Sequence, residues 1–574
     1  MQIHTKKRIC LLLAAILLLL PLTRAFAEPV FGPYEYDAVT QTGETEAERL
    51  PSVGFSKAQK QGYELLNGLA NAFLKVFNAL YVNPRGVKSA DAFDGSVYPS
   101  GRDAYRTSPD EGAGWKAGFA SASLVPPDFE PGKYYIGRSL TNMPAEGVYD
   151  DCRVRAAAVD DGAGEGPVVF AVVDGLGVTG GDTLEVRKAV LDWAEANGIR
   201  ISAVNLSATH THTGLDTQGV ATESIYKLLT GSIRNLFNIR GEKRLGNAER
   251  FKAYYVKTVT ETVKAAIEDM RPGTLSYKAV DLSANIMDKR GLVDTADIPL
   301  TPVFRFDPAD GTQGIYIADI PCHPTSFDSS YHLVSADYVY YTEMRIKEKT
   351  GYSFLFFQGA AGMLTRKNTG VNAGALPEEE RMGANVRNTG RIFADRILAA
   401  CADMETLPPV LNVRYSTSLF SPTNGVLLLA LKAGLVNEPA YRTGLSPNDI
   451  SVVLELGYVE FGGRVGLCLF PVELYPEVFY GTSIINGGDY AAVSWTGKEE
   501  TNPVPAALAP RAGVDLFAVH LTNDSLGYCV PDADFAFLGH ILGDDNADEV
   551  LSLGKGTAKA VTEQFADLMG SIPQ

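Results

Sequence analysis

Cysteine is scarce in this chain: six in 574 residues, with Cys10 in an apolar N-terminal leader. The other five, Cys152, Cys322, Cys401, Cys468 and Cys529, are odd in number and nowhere spaced C-x-x-C. A disulfide scaffold, a zinc ribbon and a thioredoxin-like redox pair are excluded, while a single disulfide stays open. Positive charge is also in deficit. Lys and Arg total 51 against 68 Asp and Glu, a formal charge of −17, so a basic footprint for nucleic acid is missing. Past the leader, no apolar run approaches the ~20 residues that span a bilayer as a helix. Hydrophobic residues at 45% and charged residues at 21% are those of a folded globular chain. Histidine is rare, at seven, and three of the seven fall in two short segments.

In the leader, Lys6, Lys7 and Arg8 precede an apolar run from Ile9 to Leu22, and Ala25 and Ala27 follow. This is the pattern of a signal peptide over 1–27, with cleavage expected after Ala27 and a secreted or extracytoplasmic product; an uncleaved anchor is the alternative. Residues 28–116 read as a helical and irregular lead-in, with an apolar helical stripe over 56–81 that stops at Asn83 and Pro84. Residues 117–574 read as one large α/β domain, a mixed and largely buried sheet flanked by helices. The apolar run Val168–Val173 predicts a strand buried on both faces, followed by a helix over 183–196 and a second strand over 201–206. Further strands are expected over 302–306, 314–320, 353–357, 452–460, 464–470 and 514–521. Helices are expected over 249–269, 337–349, 378–402, 473–482 and 554–569. The Leu-rich stretch 426–435 reads either as a flap over an acyl chain or as a core helix.

Gly175, Gly177 and Gly180 form G-x-G-x-x-G between the first strand and its helix, as in dinucleotide-binding folds. Asp174 just before them would repel a pyrophosphate, and the next strand ends in Asn205, Leu206 and Ser207 with no acid for a ribose. A plain strand-to-helix loop is the favoured reading.

The histidines are more informative. His210 and His212 follow the second strand, and in extended chain they would face one way. His323 follows the strand expected over 314–320. Strand ends converge at one edge of an α/β sheet, and a His-x-His pair with a distant His suits a zinc site.

The segment Ser207–Gly214, S-A-T-H-T-H-T-G, resembles the T-H-T-H-[ST]-G signature of the neutral/alkaline non-lysosomal ceramidase family. Other segments resemble that family in the same order: Asp150–Ala156 with the strand ending at Asp174, His323-Pro-Thr with Leu333–Tyr338, Phe357–Gly362, Pro471–Tyr475 and Asn523–Tyr528. The resemblance implies a zinc amidase. Carried over residue by residue, it implies His210, His323, Glu473 and Tyr528 as ligands of Zn2+. It places His212 beside the reacting group, Arg290 (preferred to Lys289 in an ambiguous register) and Thr365 in the active centre, and His540 where the family has a tyrosine. The chain departs from the family at Met363, where the family has Asp, and at Thr365, where it has Ser or Asn. The tail after Tyr528 leaves no room for the C-terminal β-sandwich of ceramidases, which puts ceramide itself in question as the substrate.

The expectation is a secreted zinc-dependent amidase that hydrolyses an N-acyl amide in a lipid-like substrate. A zinc-bearing, non-catalytic binding protein is the alternative, and a nicotinamide-dependent oxidoreductase using the Gly175 loop is a third. No nucleic-acid partner is expected, transient contact with a membrane surface is compatible with the substrate class, and the oligomeric state is left open.

Overall fold

A computed structural model describes residues 57–80, 86–138, 143–220, 248–327, 331–367, 378–434, 436–485, 489–536 and 548–572. The leader over 1–27 and His540 lie outside the described residues.

The lead-in helix α1 is Lys57–Leu80. The main sheet is built from β1 (Lys116–Ser123), β2 (Arg153–Asp160), β3 (Val168–Val173), β4 (Ala203–Ala208), β5 (Arg271–Val280), β6 (Thr301–Pro308), β7 (Ile315–Ile320) and β8 (Ser353–Gln358). Their order is β8-β7-β6-β5-β1-β2-β3-β4, with the short Glu405–Thr406 strand added against β5. Both outermost pairs, β8 with β7 and β3 with β4, are parallel; the pairs between them are antiparallel. Every residue of β3, β4 and β7 is buried, including Asn205, Ser207 and Asp319; only β3 is a continuous apolar run.

The expected crossover is present: helix α2 (Gly180–Ala196) joins β3 to β4, which pair from Val168 with Ala203 to Val173 with Ala208. Thr179 caps α2 by accepting from the Asp182 N–H, and Val186, Val190 and Ala194 are buried on it. The chain turns out of the helix through Gly198, at φ 66°. Helix α3 (Ala248–Glu268) packs beside α2, and Tyr255, Val259 and Val263 are buried with Val169, Ala171 and Val173. Burying a side chain such as Val contributes ~1.5–3 kcal/mol. Helices α4 (Tyr338–Thr350) and α5 (Glu378–Ala400) cover the other half of this face through Ile346, Phe393 and Ile397.

A second sheet carries β9 (Leu411–Phe420), β10 (Ile450–Phe461), β11 (Val465–Leu469) and β12 (Asp515–Val519), with short strands Ala440–Arg442 and Val87–Ser89 at one edge. Its inner face, with Val413, Val459, Leu467 and Phe517, packs against Phe170, Leu275, Phe304 and Phe357 of the main sheet. Its outer face is covered by the last helix, α7 (Thr557–Gly570), through Val561, Phe565 and Leu568. The Leu-rich stretch forms helix α6 over Gly425–Ala433, with Leu428, Leu429 and Leu431 buried and Gly425 against Leu74 of α1. It is a packed helix rather than a flap. The expected helix over 473–482 is reduced to Pro476–Tyr480, because Glu473–Leu474 pairs as a strand with Tyr528–Cys529.

Candidate metal centre

Carboxyl ends of strands from both sheets meet at one place. The chain leaves β4 at Ala208, and His210 adopts φ 64°. This left-handed turn ends the extended run, so the same-side argument from alternation does not apply to His210 and His212. Their rings nevertheless lie 4.9 Å apart, edge to face. His323 follows β7, and its ring is 4.8 Å from that of His210. One ring nitrogen from each of His210, His212 and His323 lies within 4.8 Å of the others.

Two carbonyls set the imidazole tautomers. His210 Nδ1 donates to Leu176 O at 2.6 Å, and His323 Nδ1 donates to Leu364 O at 3.1 Å. Both Nε2 lone pairs therefore point the other way, at the Glu473 carboxylate. His323 Nε2 lies 2.8 Å from Glu473 Oε1 and His210 Nε2 lies 3.3 Å from Oε2. Acceptors facing acceptors need positive charge between them. Burial by itself would raise the Glu473 carboxyl, but the two imidazoles hold it well below the ordinary carboxylate range. Burial lowers both imidazoles as well. At His210 the charge of Glu473 outweighs burial and the pKa is raised; at His323 burial prevails and it is lowered. A proton on one of the two imidazoles would serve one contact and leave the other unmet. A dication with nitrogen and oxygen ligands would serve both, and this donor set fits one.

Tyr528 is the register partner of Glu473 in the parallel pair, which brings the two residues side by side. Burial first, then the charges of Glu473 and Asp548, raises its phenol well above 10. A phenolate ligand at this position would need a cation beside it. His212 is half-buried, its Nε2 is buried without a partner, and burial together with the neighbouring His210 keeps it neutral.

The remaining expected residues are placed differently. Thr365 is the bridge partner of His323, and its hydroxyl is 3.4 Å from that of Thr325. Met363 is buried in an apolar cluster. Arg290 is not turned to the histidines: it donates to both Asp288 oxygens at 3.1 and 2.9 Å and to both Glu477 oxygens at 2.7 and 3.3 Å, and it stacks on Tyr475. The charge of the neighbouring Lys289 acts on His210, His212 and His323, and that of Arg138 acts on His212 as well; burial of its ammonium lowers the Lys289 pKa. His520 was missed altogether. It follows β12 as His323 follows β7, so an apolar strand ending in His was the available signal.

The glycine loop after β3 is filled from within the chain. A Cβ on Gly175 would meet Thr217 Oγ1 at 2.6 Å, one on Gly177 would meet Ser525 Oγ at 2.6 Å, and one on Gly180 would meet Asp524 Oδ2 at 2.6 Å. Glu438 accepts from the Gly180 N–H at 3.1 Å, which puts a second carboxyl at the start of α2. The place of a pyrophosphate is taken by protein. Asp174 pairs instead with Arg155 at 2.8 Å.

No family model and no curated protein matches the chain. Among the solved structures that it resembles, two are each matched over 80% of this chain. One is neutral ceramidase from Pseudomonas aeruginosa, at 17% identity and TM-score 0.57 over 74% of that chain. The other is a ceramidase complexed with C2, at 17% identity and TM-score 0.56 over 75% of that chain. The motif resemblance is thus accompanied by a resemblance of tertiary structure: the chain has a neutral ceramidase-like fold.

Proposed function

We propose that this protein is a secreted hydrolase of the neutral ceramidase type, dependent on zinc, that cleaves an N-acyl amide in a lipid-like substrate. The observation that carries the reading is the pair of Nε2 atoms held against one carboxylate by carbonyl-fixed tautomers. The fold likeness to ceramidases and the signal-peptide pattern support the substrate class and the compartment.

His210, His323, Glu473 and Tyr528 would hold the metal, which supplies Lewis acidity and water with a pKa near ~7. His212 is a neutral imidazole with a free buried Nε2, suited to take or return a proton at the scissile amide. Lys289, whose charge acts on all three histidines, would supply positive charge toward a developing oxyanion. Thr365, beside His323, keeps the hydroxyl found in the family.

The test pairs elemental analysis of the purified protein with turnover on a panel of N-acyl amides of graded acyl length. About one zinc per chain with amide cleavage is expected. Zinc without turnover would favour the binding-protein reading, to which the buried Met363 and the engaged Arg290 lend weight. Neither zinc nor turnover would sink the proposal.

A further inference from the structure

His520 lies on the floor of the histidine cluster. Its side chain is fully buried, and neither Nδ1 nor Nε2 has a hydrogen-bond partner. Its ring centroid is 6.0 Å from that of His210, with the planes at 76°. Its backbone is fixed at the junction of both sheets: the N–H donates to Gln358 O at 3.1 Å, and the carbonyl accepts from Thr522 Oγ1 at 3.2 Å. The next residue, Leu521, has φ 50°, and Asn523 has φ 66°. A leucine in the left-handed region costs ~1–2 kcal/mol. Among the described residues only four non-glycine residues have positive φ, and a third of the four is His210. Strain of this kind gathers where a particular geometry is needed. A buried imidazole with no partner also costs ~1–3 kcal/mol for each unmet polar group, and an apolar side chain would avoid that. Packing therefore does not account for a histidine here.

We infer that His520 is a positioning residue of the metal centre, whose ring N–H holds the Glu473 carboxylate when a divalent cation is bound; the inference rests on the metal reading above. Without a cation, each Glu473 oxygen faces an imidazole Nε2, at 2.8 and 3.3 Å. With a cation between them, both Nε2 lone pairs and the carboxylate oxygens turn to it, and a ligating carboxylate needs an outer donor to fix its orientation. Among the described histidines of the cluster, His210, His212 and His520 have buried ring nitrogens without hydrogen-bond partners; His210 Nε2 is turned to Glu473 as a ligand of the cation, and His212 is the half-exposed one. His520 is left as the donor from within.

The experiment uses the full mature chain, stripped of metal and titrated with Zn2+ against a competing chelator, with Co2+ absorption as a second readout. His520→Leu removes the donor and keeps the packing; His520→Gln keeps an N–H. Zinc affinity is expected to fall ~10–100-fold in His520→Leu with an altered Co2+ spectrum, and to be largely recovered in His520→Gln. The metal-free Tm of His520→Leu should equal or exceed that of wild type. Affinity within twofold of wild type in His520→Leu, or no recovery in His520→Gln, overturns the inference. So does a metal-free His520→Leu that melts lower, since that marks a packing residue. If wild type itself binds no zinc, the metal reading fails and His520 with it.

Discussion

Of the buried charged clusters in this fold, those around Arg290 and Glu473 differ in one respect. Around Arg290, each polar group meets its complement: two Asp288 oxygens, two Glu477 oxygens, the Val293 N–H and the face of Tyr475. Around Glu473, the imidazoles are over-supplied with acceptors, and ring nitrogens of His210, His212 and His520 are left without hydrogen bonds. A closed buried network is a structural joint. One left open in a well-packed interior marks a place kept for something else.

The sharpest way to break this contrast is to remove the open side. His210→Ala with His323→Ala should abolish stoichiometric zinc binding by elemental analysis and leave the fold intact by circular dichroism. Full zinc occupancy in the double variant would remove the site. The closed side should behave oppositely. Arg290→Met leaves Asp288 and Glu477 buried and unpaired, so urea unfolding of the metal-free protein should show a loss of ~3–5 kcal/mol, while zinc binding by the folded fraction persists.

Smaller effects separate the residues around the centre. Lys289→Met should lower kcat on an N-acyl amide by ~10²-fold with zinc content unchanged, and Lys289→Arg should retain most of the activity. Thr365→Val should lower kcat less, and Thr365→Ser should be tolerated; equal rates for all three residues at 365 would exclude its hydroxyl from the reaction.

A prediction of another kind tests a carboxyl outside both clusters. Burial pushes Asp150 up to about 7, against the Ser335 hydroxyl and the Ala336 N–H that pull it down. Its folded pKa thus exceeds the unfolded value of ~3.9. The unfolded chain releases this proton first, so the stability Asp150 contributes is full below pH ~4 and is lost as pH rises to about 7. Asp150→Asn should flatten the stability–pH curve in that window, by at most ~1.4 kcal/mol per pH unit. An unchanged slope would show that Asp150 is ionised in the folded state.

Much of this architecture was legible before any tertiary structure. The buried runs at 168–173, 314–320 and 353–357 became β3, β7 and β8, and the helical stripes became α1 to α5 with ends shifted by a few residues. Strands β1 and β2 were not legible, because K-A-G-F-A-S-A-S and R-V-R-A-A-A-V-D are built from small residues with weak strand preference. They are strands because β3 and β5 offer them partners.

The candidate site divides along the same line. By itself the sequence determined which histidines end buried strands, since an apolar run followed by a polar residue is local information. It put Arg290 ahead of Lys289 in an ambiguous register, and it gave no sign that Arg290 closes a buried ion pair with Asp288 and Glu477. It gave no sign that Glu473 and Tyr528 share a register, or that His520 lies beneath His210. Those placements depend on two sheets packing face to face, with strand ends far apart in the chain brought within a few ångströms. Only the tertiary structure decided them, because packing and pairing between sheets, unlike periodicity along a segment, depend on the whole chain at once.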